Sequence, residues 1–138
     1  MIIIIGCNKG GAGKTTTAIN LAVCMVKKGL DICLVDADPQ RSADKWVDER
    51  ENNGHQPTFT IVEKRDNITQ TLKNLAERFE HIIVDVAGRN SRELITGAVV
   101  ADKIIAPHQC SQLDLDTLSE LQNQVVRIKD LNPNLEVW

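Results

Sequence analysis

The residues best suited to chemistry in this 138-residue chain run from Asn8 to Thr16, Asn-Lys-Gly-Gly-Ala-Gly-Lys-Thr-Thr. Gly10, Gly11 and Gly13 remove Cβ atoms where backbone N–H groups must turn toward an anion. The apolar run Ile2–Cys7 precedes the loop, and a helical pattern over Thr16–Lys28 follows it. In that setting phosphate oxygens meet both the unpaired amides and the positive end of the helix. Lys14 is spaced to reach β- and γ-phosphates, and the Thr15 hydroxyl to ligate Mg²⁺. The loop departs from the usual P-loop at its start: Asn8 stands where a glycine is expected, and Lys9 adds a second cation.

Two sets of acids close apolar runs farther on. Asp85 follows Ile82–Val84, the pattern of a strand-end acid that holds Mg²⁺ through water. Gly88 completes a D-x-x-G spacing, and its amide can bond a γ-phosphate and move when that group leaves. Asp36 and Asp38 sit in Asp36-Ala37-Asp38-Pro39-Gln40, where Pro39 ends regular structure. One of these two suits an attacking water and the other the hydration shell of Mg²⁺; the residues alone do not choose between them. No Cys/His pair, Ser/His/Asp set or zinc spacing competes, and His55, His81 and His108 read as loop or structural residues.

Positioning these groups requires alternating strands and helices. Strand-length apolar runs fall at Ile2–Cys7, Ile32–Asp36, Thr58–Glu63, Ile82–Val86 and Lys103–Ala106. One-face helical spacing covers Thr16–Lys28, Arg41–Arg50 (Ala43, Trp46 and Val47 inward) and Asp66–Phe79, with Asp66 as N-cap. It recurs after Ser91, a candidate N-cap, with Leu94, Ile95, Ala98 and Val99 inward. The last helix, Leu113–Lys129, turns Leu115, Leu118, Leu121, Val125 and Ile128 inward. Leu135–Trp138 opens a sixth strand, so the pattern predicts a fragment, or a domain whose final elements lie elsewhere. The expected architecture is one α/β domain over 1–138 with a mostly parallel sheet, its acids at the carboxyl ends of strands.

Composition narrows the functions. A net charge of −3 is no polycation, and four aromatics (Phe59, Phe79, Trp46, Trp138, no Tyr) offer no stacking platform for single strands. Arg89, Arg92, Lys103, Arg127 and Lys129 are scattered basics that read as solvated surface. Cys7, Cys24, Cys33 and Cys110 form no C-x-x-C pair and read as reduced thiols, the first three buried. There is no basic-then-apolar leader, and no apolar run approaches the ~20 residues of a bilayer span. The expectation is a soluble, cytoplasmic protein with no membrane partner.

Asn8–Thr16 resembles the deviant Walker A box of the ParA/MinD ATPases. Asp36–Gln40 is similar to their switch I segment, Asp85–Arg92 to the Walker B and switch II of the small plasmid-partition ParA branch, and Pro107–Leu115 to that branch's next loop. The resemblance implies a three-layer P-loop NTPase fold lacking its C-terminal elements. It implies ATP/ADP and Mg²⁺ as ligands, with Lys9 reaching the phosphates of a partner subunit in a nucleotide-sandwich homodimer. Gly10, Gly11, Ala12, Gly13, Lys14, Thr15, Thr16 and Gly88 would surround the phosphates. Thr15, Asp36, Asp38 and Asp85 would serve Mg²⁺, and Lys9, Lys14, Asp38 and Asp85 would be catalytic. Hydrolysis would be slow without a ParB-type partner, and the ATP dimer would bind DNA without sequence preference, giving nucleoid association. No N-K-x-D guanine pattern is present. Two other readings stand beside this one: a MinD-like membrane-positioning ATPase, which needs a C-terminal amphipathic helix not found here, and a non-hydrolysing truncated interaction module.

Overall fold

Four isoleucines in a row make the central strand. In the computed structural model, which describes residues 1–88, 91–108 and 112–138 (for 112–118 the backbone only), Ile2–Ile5 form β1. All four are buried, because alternate side chains enter two separate cores: Ile2 and Ile4 on one face, Ile3 and Ile5 on the other. The remaining strands are β2 (Ile32–Ala37), β3 (Thr60–Glu63), β4 (His81–Val86), β5 (Lys103–Ile105) and β6 (Glu136–Val137). They form one sheet in the order β3-β2-β4-β1-β5-β6, and every neighbouring pair is parallel.

Parallel neighbours require crossovers, and the helices supply them on both faces. The helices are α1 (Lys14–Lys27), α2 (Ser42–Asn52), α3 (Thr69–Ala76), α4 (Arg92–Ala98) and α5 (Gln112–Lys129). On one face α1 and α2 pack Ala18, Ile19, Ala22, Met25, Ala43 and Val47 against Ile3, Ile5, Leu34 and Ile83. On the other, α3, α4 and α5 bring Leu72, Leu94, Ala98, Leu121, Val125 and Ile128 to Ile4, Val35, Val84 and Ile104. The result is the three-layer α/β architecture of the sequence expectation, with a fully parallel sheet.

Several local expectations are corrected. Trp46 is 38% exposed, because Ala43 and Val47 already form the buried stripe of α2 and Trp46 sits beside it. Ile95 is exposed as well: in the short α4 the packed positions are Leu94, Gly97 and Ala98. Asp66 does not cap α3; it lies one turn earlier in the left-handed region (φ 67°), while the Asn67 side chain accepts from the Thr69 amide at 3.1 Å. Cys7 and Cys33 are buried but Cys24 is exposed. Burial, helped by Asp31, pushes the Cys33 thiol up to about 12, so it stays protonated. Ser91 caps α4 as expected, accepting from the Leu94 amide at 3.2 Å. Arg89, Cys110, Leu115 and Leu118 fall in the part whose side chains lie outside the described residues.

Candidate functional site

The strand order puts β4 between β2 and β1, and this brings the three sequence constellations to one edge. Asp36 and Asp85 are register partners on neighbouring strands, and Ile5 pairs with Asp85 from the other side. Just beyond Ile5 the chain leaves the sheet into the glycine loop. A cleft of about 400 Å³ opens there, lined by Gly10, Gly11, Gly13, Lys14, Thr15, Thr16, Asp38, Gln40 and Gly88.

The loop delivers its amides through an unusual helix start. Helix α1 begins at Lys14, two residues earlier than expected, so Lys14 and Thr15 belong to its first turn. Gly13 precedes it at φ 86°, a left-handed conformation that costs a glycine little. No side chain caps this helix and no acid sits in its first turn. Its leading N–H groups and positive dipole end are therefore directed at the cleft, the arrangement that suits an anion.

Lys14 is 94% buried, and its Nζ donates to the Lys9 carbonyl at 2.6 Å. A buried ammonium needs an acceptor, and the loop carbonyl fills that need here. Ala12 lies in the same loop and is half-buried, and Lys9 is neither fully buried nor fully exposed. Gly88 approaches from the end of β4: a Cβ at that position would lie 2.9 Å from both the carbonyl carbon and the oxygen of Lys9. Position 88 thus rests directly on the Lys9–Gly10 peptide, and only glycine fits.

The acids divide into two kinds. Asp85 is fully buried, and neither carboxylate oxygen has a hydrogen-bond partner. Burial lifts its pKa to about 6; the nearby Thr15 hydroxyl and Lys14 favour the ionised form, while Asp36 and Asp38 oppose it. An orphaned carboxylate beside a Thr hydroxyl, at the mouth of an anion cradle, fits a hydrated divalent cation. Asp36, also expected to serve the metal, has another occupation. Its Oδ1 accepts from the Asp38 amide at 3.1 Å and its Oδ2 from the Asp44 amide at 2.9 Å, so it organises the loop. Asp38 lines the cleft, and its Oδ1 accepts from the Gln40 amide at 2.8 Å. Among the described residues no three His, Cys, Asp or Glu side chains converge as a metal cluster.

Sequence reasoning missed Arg65. Its guanidinium donates to the Asp36 carbonyl and lies 3.9 Å from Asp36 Oδ1. The contact spans 29 residues and depends on the pairing of β3 with β2, so no local pattern announced it. The basics Arg127 and Lys129 are exposed on α5, Arg92 lies 3.9 Å from the Asp66 carboxylate, and Lys103 pairs with Glu136 at 2.7 Å. Among the described residues no helix is long and apolar enough to cross a membrane.

The chain is 28% identical over 175 residues to the chromosome partitioning protein ParA of Myxococcus xanthus, a match covering 99% of this chain and 62% of that protein. It is 27% identical over 175 residues to the sporulation initiation inhibitor protein Soj of Bacillus subtilis, covering 99% and 69%. The fold superposes with a TM-score of 0.80 on a putative plasmid partition protein from Borrelia burgdorferi bound to AMPPNP, at 21% identity and covering 99% and 73% of the two chains. Residues 3–134 match the CobQ/CobB/MinD/ParA nucleotide-binding domain, and the chain belongs to that family.

Proposed function

We propose that this chain is a ParA-type partition ATPase that hydrolyses ATP between two facing copies of itself and uses the cycle to position plasmid, chromosome or other cargo on DNA. The observation that carries the reading is Asp85, whose two buried, unpartnered oxygens lie beside Thr15 under the glycine loop. Such a carboxylate is expensive to bury unless something cationic completes it. Support comes also from relatives named ParA and Soj and from a similar fold holding an ATP analogue.

In this reading the amides of Gly10–Thr16 and the Lys14 ammonium hold the phosphates, Lys14 leaving the Lys9 carbonyl to do so. Thr15, and Asp85 through water, would hold Mg²⁺, which would supply positive charge to the phosphates. Asp38 orients the attacking water, and Asp36 holds the loop that presents it. The Gly88 amide meets the γ-phosphate. Lys9 reaches the phosphates of the facing subunit and stabilises charge developing in the transition state. A ParB-type partner accelerates an otherwise slow turnover, and the dimer binds DNA without sequence preference.

Calorimetry with Mg-ATP tests the reading. Lys14→Ala abolishes the heat of binding, whereas Lys9→Ala retains it and loses turnover. No heat with either Mg-ATP or Mg-ADP would instead favour a non-hydrolysing interaction module. ATP-dependent sedimentation with anionic liposomes, and none with DNA, would favour a MinD-like membrane-positioning role.

A further inference from the structure

The loop between β3 and α3 is tied both to the Asp36–Asp44 segment beside the cleft and to the start of α4, and by consecutive residues. Arg65 reaches under β2, donating to the Asp36 carbonyl and lying 3.6 Å from Glu63 Oε2 as well as 3.9 Å from Asp36 Oδ1. Asp36 in turn holds the amides of Asp38 and Asp44, so whatever fixes Asp36 fixes the backbone that aims Asp38. Asp66 makes the opposite connection. Its amide donates to Glu93 Oε1 at 2.8 Å, and Glu93 Oε2 accepts from the Ser91 hydroxyl at 2.7 Å. Ser91 starts α4 three residues after Gly88.

The backbone between these two ties is unusual. Asp66 has φ 67°, a left-handed conformation uncommon for a residue with a side chain. The chain bends there, and Arg65 meets the Asp36 carbonyl while the Asp66 amide meets Glu93 at the start of α4. Arg65 is only 27% exposed, so its charge is partly withdrawn from water and its direction is set by these contacts. A loop that merely joined a strand to a helix would need neither the left-handed residue nor the guanidinium on the Asp36 carbonyl.

We propose that Arg65 and Asp66 form a strut coupling the Asp36–Asp44 segment to the Ser91–Leu94 cap of α4, and that Arg65 is thereby a positioning residue for hydrolysis. The inference rests on reading the cleft as an ATPase site. Arg65 acts through Asp36 on the aim of Asp38, and through the shared loop on the cap of α4.

The test uses the full chain with Arg65→Gln, Arg65→Lys, Glu93→Gln and the Arg65→Gln/Glu93→Gln pair. Steady-state Mg-ATP turnover and amide hydrogen exchange are both measured. Arg65→Gln is expected to lower kcat about tenfold or more while KM and nucleotide affinity stay within about twofold, the split expected when positioning rather than binding is lost. Arg65→Lys keeps the charge without the planar fork and recovers part of the rate; it also serves if the glutamine variant does not fold. The paired variant is expected to lose little beyond the worse single change, since one strut cannot be cut twice. In nucleotide-free protein, Arg65→Gln should speed exchange at the Asp38 and Asp44 amides and also at the Leu94 amide. Unchanged kcat, effects that multiply in the pair, or Leu94 exchange unaffected by Arg65→Gln would each overturn the proposal. A wild-type chain that binds ATP without turning it over would sink the ATPase reading alone, and the exchange at Leu94 would then decide the strut.

Discussion

Asp85 and Asp36 stand side by side on neighbouring strands, both fully buried, yet only Asp36 has hydrogen-bond donors to satisfy it. The difference sets a pH dependence. Burial holds Asp85 near 6, above its ordinary 3.8, so between those values the folded chain binds a proton that the unfolded chain has lost. Stability from this group is therefore present below about pH 4 and declines as pH rises to about 6, by on the order of 2–3 kcal/mol. Asp85→Asn should raise the thermal midpoint of nucleotide-free protein at about pH 7.5, with the gain shrinking toward about pH 5. The same variant should lose the stabilisation that Mg-ATP confers, measured by thermal shift in the presence and absence of Mg²⁺. Gly88 gives a second residue-scale prediction. Gly88→Ala sets a methyl group 2.9 Å from the Lys9 peptide backbone, which cannot move aside like a flexible side chain. The expected result is a loss of about 1–3 kcal/mol in urea denaturation and at least tenfold weaker nucleotide binding.

Among the elements, α4 depends most visibly on its first turn. Seven residues make few helix bonds, and Ser91 contributes both the cap to the Leu94 amide and the hydroxyl held by Glu93. Ser91→Ala should cost about 1–2 kcal/mol by urea denaturation. This cap was legible in the sequence because it is a local feature: a serine placed three residues before the buried Leu94. The same held for the glycine loop, the strand-end acids and the alternation of apolar runs, all of which depend on neighbours close along the chain. What was not legible depended on distant partners. Asp66 reads as a helix cap, but α3 starts only at Thr69 and the Asp66 carboxylate lies 3.9 Å from Arg92, 26 residues away. Trp46 reads as core because three apolar residues share a helical stripe, but the sheet offers room for only Ala43 and Val47. Arg65 gave no signal, since its role exists only once β3 lies beside β2.

For the molecule as a whole, the chain spans 62% of the length of its M. xanthus relative and 69% of its B. subtilis relative, and the described sheet already gathers every cleft-lining group at one edge. The question at this scale is assembly. Mixing the chain with Mg-ATP should shift it from monomer to dimer in light scattering coupled to gel filtration. Lys9→Ala should keep nucleotide affinity within about threefold but remain monomeric, as expected if its interaction energy is realised only across the interface. Asp38→Ala should accumulate as an ATP-bound dimer; a nucleotide-loaded monomer would contradict its assignment to the water.

The short bond from the Lys14 ammonium to the Lys9 carbonyl has a consequence for the order of these events. If an arriving phosphate draws the ammonium away from that oxygen, the Lys9 carbonyl loses a short hydrogen bond, keeping the Cys7 thiol at 3.6 Å, and the peptide that carries Lys9 is held less firmly. Filling the pocket and loosening the loop read as reaching a neighbour then become linked. A vacant subunit would be held in check by its own loop, and pairing would wait for a loaded one.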